Sequence, residues 1–212
     1  MNKNLTRAIA LAAILFVALA LAGVAGLDSL AARWSVAPAG ETSAWDRGTD
    51  LLDLLALKPI SNFLLGFLLL VAAGAMLAVR RTRRWGWPLL YVGAVQFAAT
   101  VIADLAKPIF GRLRPFEAAA TGGSDTWLVG ANSFPSGHAA FYAGLFLPLM
   151  LLYPRFAALL VIPPGFIAFA RVQGGDHYPS DVFSSLALAA ALAVALLFIA
   201  RRGWESADRP AS

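Results

Sequence analysis

Three short polar clusters interrupt an otherwise apolar chain, and between them they hold its two histidines. The first runs from Lys107 to Pro115 and includes Arg112 and Arg114. Lys107 and Arg114 lie seven residues apart, about two helical turns, which predicts a shared helical face. Pro108 is expected to open a fresh turn and Pro115 to end it. Two fixed cations on one face suit a phosphate dianion, with arginine adding bidentate geometry. The same pattern also describes a basic anchor at a membrane surface. The second cluster is Ser133-Phe-Pro-Ser-Gly-His138, just ahead of an apolar run. Ser136 is placed to cap a helix, and Gly137 lets successive N–H groups turn towards an anion at the positive helix end. His138 then stands over that anion. An ordinary capped helix start is the plainer alternative. The third cluster, Arg171 to Asp181, contains Asp176, His177 and Pro179. Pro179 suits the first position of a helix, which puts Asp181 in the first turn, where the helix dipole favours its anion. A carboxylate there accepts the proton on one nitrogen of His177 and frees the other for attack, half of a nucleophilic triad with histidine as the nucleophile. A His–Asp pair that merely closes a loop is again the plainer reading. Unrelated surface anchors, however, need not gather both histidines with these cations.

The elements that must position these clusters are membrane helices. The 212 residues are 59% hydrophobic and 14% charged, against about 45–50% apolar and about 25% charged in soluble domains. Spans of about 20 residues are predicted at 8–26, 60–79, 87–105, 139–153, 156–174 and 182–200. Pro148 is expected to kink the fourth, and Pro163 with Pro164 the fifth. The run Arg80-Arg-Thr-Arg-Arg84 marks the inner side, so the N- and C-termini are expected inside and all three clusters outside. Ten of the twelve acidic residues fall on that outer side as well. Two readings fit the first run, a retained span or a cleavable signal peptide. Pro38, Gly40 and Thr42 break the first outer segment. Residues 45–57, where acids alternate with leucines, suit either a helix lying at the interface or a plain connecting helix. In the second outer segment, Gly122 and Gly123 predict flexibility and Trp127 a place among lipid headgroups. The expected architecture is all-α, integral to the membrane, with six transmembrane helices in a single domain and the site on the outer face.

Composition also narrows function. The chain has no cysteine, which removes disulfides and thiolate metal sites. Two histidines without a carboxylate cluster at ligand spacing argue against zinc. The net charge of +5 arises from residues flanking apolar runs, which sets nucleic-acid binding aside. No cofactor, metal or obligatory protein partner is expected; the partners are the bilayer and a lipid phosphate at its surface.

In these three parts the chain resembles the type 2 phosphatidic acid phosphatase superfamily. Its signature is a lysine, six residues, then Arg-Pro; Pro-Ser-Gly-His; and Ser-Arg, five residues, His, three residues, Asp. The matching residues are Lys107 with Arg114 and Pro115, then Pro135 to His138, then Arg171, His177 and Asp181. Ala170 stands where the family usually has serine. The resemblance implies that His177 attacks phosphorus, Asp181 orients it, and His138 protonates the leaving alkoxide. It also implies that Lys107, Arg114, Arg171, Ser136 and Gly137 bind the phosphoryl oxygens. Candidate substrates are phosphatidylglycerophosphate, phosphatidic acid, undecaprenyl diphosphate and lipid A phosphates. A phosphotransferase using the same intermediate, a vanadium-dependent haloperoxidase and a non-catalytic lipid transporter or scaffold are the alternatives, although haloperoxidases of this group are soluble. Asp104 is expected to pair with Lys107, and Asp176 to point to solvent.

Overall fold

A computed structural model describes residues 3–32, 44–120, 122 and 125–207. Among them every regular element is helical. α1 (Lys3–Ala22) continues through a π turn at Gly23–Leu27 into the short α2 (Asp28–Ala32). α3 (Ala44–Leu55), α4 (Leu64–Ala78) and α5 (Arg83–Phe110) follow. The remainder comprises α6 (Pro115–Ala120), α7 (Gly137–Leu152), a 3-10 turn with α8 (Ala157–Leu160), α9 (Ile162–Gln173) and α10 (Pro179–Ala207).

Four helical stretches are long and apolar enough to cross a membrane: Lys3–Ala32, Arg83–Ala120, Pro154–Gln173 and Pro179–Arg201. Leu64–Ala78 and Gly137–Leu152 are apolar but shorter. The burial pattern also suits hydrocarbon. Leu11, Ile14, Leu105 and Ile199 face outward on their helices, whereas the interior is built largely from alanine. Ala99, Ala139, Ala143, Ala189 and Ala193 are completely buried. Small side chains let helix backbones approach closely, which drives packing where lipid removes the hydrophobic incentive. α5, α7 and α10 form the centre of the bundle, with α1 against α10 and α4 against α5. Tyr91 on α5 donates to the Ala193 carbonyl of α10 across 2.6 Å, a polar tie that satisfies its buried hydroxyl.

The two prolines of the first cluster behave differently from the sequence reading. α5 runs without interruption through Pro108, and α7 through Pro148. Pro115 opens α6 instead of ending a helix, consistent with its preference for the first turn. Pro163 and Pro164 do coincide with a break: α8 ends before Val161, and α9 starts with these prolines in its first turn. The helical reading of 45–57 is met by α3 at Ala44–Leu55. The breaks assigned to Pro38, Gly40 and Thr42, and the flexibility assigned to Gly123, lie outside the described residues.

Candidate active site

The N-termini of α7 and α10 meet at one end of the bundle. Ser136 N–H donates to the Asp181 carbonyl at 3.2 Å, and the Ser185 hydroxyl donates to the Ser136 carbonyl at 2.8 Å. Between them opens a cavity of about 220 Å³ lined by Lys58, Asn62, Thr100, Asp104, Lys107, Arg114, Gly137, His138, Arg171 and His177. All three sequence clusters therefore reach one cavity. Two larger recesses, of about 470 and 520 Å³, are lined by apolar residues and a serine each, with no titratable group. They offer no chemistry of their own.

The cations arrive from separate elements. Lys107 occupies the last turn of α5, where Gly111 in a left-handed conformation (φ 52°) ends the helix and its N–H bonds the Lys107 carbonyl. The chain is then irregular up to α6, so Arg114 does not share a helical face with Lys107, contrary to the spacing argument. The turn at Gly111 brings the two together instead. Lys107 pairs with Asp104 one turn back at 3.2 Å, as expected. A Cβ on Gly137 would lie 3.2 Å from the Lys107 ammonium, so a larger residue there would push that flexible cation back by a few tenths of an ångström. Ser136 is fully buried, and its hydroxyl accepts from Ala139 N–H at 3.4 Å as a helix cap. Arg171 comes from the last turn of α9.

Asp176 is not turned to solvent. It sits between Arg171 (2.7 Å) and Arg114 (3.4 Å). Two guanidiniums next to a flexible carboxylate attract it more strongly than water does. Arg114 is braced further by Asn132 at 3.0 Å, and its backbone N–H donates to Glu117. The Nε of Arg171 is buried without a hydrogen-bond partner among the described residues.

His177 is nearly inaccessible at 3% exposure. Its Nδ1 faces the Asp181 carboxylate at 3.5 Å, too far for a well-formed hydrogen bond, and makes none among the described residues. Burial lowers the proton affinity of His177. Asp181 opposes that shift, while Arg114 and Arg171 reinforce it. The ring is therefore held towards its neutral, nucleophilic form.

Asp181 is itself fixed from behind. Ser133 donates to it at 2.6 Å and Tyr178 N–H at 2.9 Å, and Arg112 completes its shell. Arg112, counted from sequence among the outer cations, is completely buried. It bonds Asp28 and Asp125 as well, donates to Ser180 at 2.6 Å, and lies between the rings of Trp127 (4.4 Å) and Tyr178 (4.0 Å). Trp127 thus covers Arg112 and packs on Phe134 (5.2 Å). Asp28, at the start of α2, also accepts from Ser180 N–H at 3.0 Å, tying the first helical stretch to the start of α10.

Sequence reasoning missed a further group. α3 is clamped to α9 by Trp45, whose ring lies 4.8 Å from Phe169 and 5.6 Å from Phe166. This docking carries Asp53 and Lys58 to His138, whose Nε2 is 2.9 Å from each. The only signal was the alternation of acids with leucines in 45–57, which gives the helix but not its target.

This arrangement sets two imidazoles with carboxylate partners among four cations at one end of a bundle whose helices include four long and apolar enough to cross a membrane. The model of the PAP2 superfamily matches residues 85–204, and the chain belongs to that superfamily. It is 33% identical to a decaprenylphosphoryl-5-phosphoribose phosphatase of Mycobacterium tuberculosis over 74% of this chain and 84% of the relative. It is 30% identical to a lipid A 1-phosphatase of Rhizobium johnstonii over 63% of this chain and 62% of the relative, a little under two thirds of that protein's length. An undecaprenyl-diphosphatase of Sulfolobus acidocaldarius is 29% identical over 51% of this chain and 52% of the relative. No solved structure gives a significant match.

Proposed function

We propose that this protein is a lipid phosphatase that works through a phosphohistidine on His177. The observation that carries the reading is the convergence of His138, His177, Lys107, Arg114 and Arg171 on one cavity, with Asp181 behind His177. With Nδ1 facing Asp181, the nitrogen that attacks is Nε2 of His177. The N–P bond forms as the bond from phosphorus to the leaving oxygen breaks, and His138 gives that oxygen its proton. Water then attacks the phosphohistidine, His138 takes the proton back, and inorganic phosphate departs. Lys107, Arg114, Arg171 and the Gly137 N–H hold the phosphoryl oxygens throughout, while Ser136 fixes the helix start that presents Gly137. Preorganised donors of this kind are worth about 10²–10³-fold each in a site screened from water.

The substrates we propose are phosphates or diphosphates on membrane lipids, as in the names of the relatives. A headgroup phosphate lies at the depth of the cavity, and its chains stay among the outward apolar faces. The six apolar helical stretches are read as six spans of one domain, with both termini in the cytoplasm and the cavity on the outer side of a bacterial inner membrane. That topology follows the arginines at 80, 81, 83 and 84. The test is phosphate release by the purified protein in detergent from phosphatidylglycerophosphate, phosphatidic acid, a prenyl diphosphate and lipid A. Release from at least one lipid, lost in His177→Ala, is expected. Release from none of them would contradict the reading.

A further inference from the structure

Asp53 and Lys58 fall outside the three motifs and outside residues 85–204, the part of the chain that the family model matches. Yet they make the closest polar contacts of His138. Nε2 lies 2.9 Å from Asp53 Oδ2 and 2.9 Å from Lys58 Nζ, and those two groups are 3.6 Å apart. Tyr142, one turn further along α7, donates its hydroxyl to the other oxygen of Asp53 at 2.8 Å. Burial raises the proton affinity of Asp53, but the bond from His138 and the charges of His138 and Lys58 outweigh it, so the carboxyl is held below its usual range. Nε2 can donate to Asp53 or accept from Lys58 but not both; the assignment to the ionised carboxylate places the proton on Nε2 and leaves Lys58 held by its charge beside Asp53.

We propose that Asp53 is a positioning residue for the proton-transfer histidine: it holds Nε2–H of His138 and reserves Nδ1 for exchange with the leaving oxygen, with Lys58 opposing the imidazolium charge. The inference rests on the phosphatase reading for what the proton is used for, but the pairing itself does not.

The proton balance closes in both half-reactions. As the bond from phosphorus to the leaving oxygen breaks, Nδ1–H of the imidazolium passes to that oxygen. The ring is left neutral, with Nε2–H still on Asp53. When water attacks the phosphohistidine, Nδ1 takes a proton from the water as its oxygen bonds phosphorus and the N–P bond to His177 breaks. The ring never has to turn over between the two steps. The charged and titratable groups around His138 are Asp53 and Lys58 from α3 and the turn after it, and Asp104, Lys107, Arg114, Arg171 and His177 across the cavity, with Asp104 paired to Lys107. Among the described residues Asp53 is the carboxylate in direct contact with the ring and favours its protonated form, while Lys58 and the other cations disfavour it.

The chain has two histidines, so ring-labelled histidine gives two titrating signals by NMR in the purified protein, assigned with His177→Gln. In Asp53→Asn the His138 midpoint should fall by roughly 1–3 pH units; in Lys58→Met it should rise. Kinetics supply the second readout. On a lipid phosphate, whose alkoxide must be protonated, Asp53→Asn should cut kcat about 10²-fold with KM little changed. In the nitrophenolate burst from p-nitrophenyl phosphate, which reports phosphoenzyme formation alone and whose phenolate leaves without a proton, the rate should stay within about threefold. If Asp53→Asn fails to fold, the upward shift in Lys58→Met decides the matter. An unmoved His138 midpoint, or equal losses in the rate of phosphoenzyme formation from the two substrates, would overturn the proposal. A wild-type protein that releases phosphate from neither substrate would remove the phosphatase reading, and the NMR shifts would still decide the Asp53–His138 pair.

Discussion

Arg112 and Arg114 are two residues apart in the same motif and have entirely different jobs. Arg112 is sealed away with three carboxylates and two aromatic rings, on the far side of Asp181 from the cavity. Arg114 is partly open, lines the cavity, and is steadied at its edges by Asp176 and Asn132. The buried cation spends its charge on protein carboxylates and so holds a shape. The lining cation keeps donors for a ligand. The difference shows how a chain poor in polar groups divides its charges: one set fixes Asp181, and the other lines the cavity in which we propose phosphate binds.

That division can be broken from either side. The largest effect is expected from Arg112→Leu. Removing one partner of a buried ionic cluster leaves carboxylates unpaired, at a cost of about 3–5 kcal/mol. The protein should lose thermal stability and expression, as read by the melting temperature in detergent, and activity should fall with the loss of fold. Arg114→Ala should leave the melting temperature nearly unchanged and lower kcat/KM by about 10²–10³-fold, measured on the same lipid phosphate. A stable Arg112→Leu protein, or an unstable Arg114→Ala one, would erase the contrast. The smallest effect is a shift in pH profile. His177 is depressed below the ordinary imidazole value of about 6.5, so it stays neutral as the pH falls through that value. The acid limb for phosphoenzyme formation should therefore lie below about pH 6.5 in the wild type. In Arg114→Ala, which removes one of the cations lowering His177, that limb should move upward.

How far sequence could go follows from the same contrast. Lys107, Arg114, His138, Arg171, His177 and Asp181 were legible because motif spacing is local and each residue type announces its chemistry. The helical cap at Ser136 and the start of α10 at Pro179 were legible for the same reason. Arg112 was not, because nothing in its identity distinguishes a cation that will be buried from one that will line a cavity; Asp28 and Asp125 decide that from distant segments. Asp53 and Lys58 were invisible as site residues, lying 85 and 80 residues from His138 and joined to it only when Trp45 docks α3 on α9. The shared helical face drawn for Lys107 and Arg114 failed because the sequence rule assumed a continuous helix, and Gly111 ends it between them. Asp176 was assigned to solvent by considering phosphate alone, without the two arginines that claim it.

The covalent step offers the most direct test. After rapid mixing with a ³²P-labelled lipid phosphate and quenching in base, the wild-type protein should carry label that is stable to alkali and lost in acid, and peptide mapping should place it on His177. His177→Ala should carry none. Label on another residue, or single-turnover phosphate release without any labelled protein, would contradict the account.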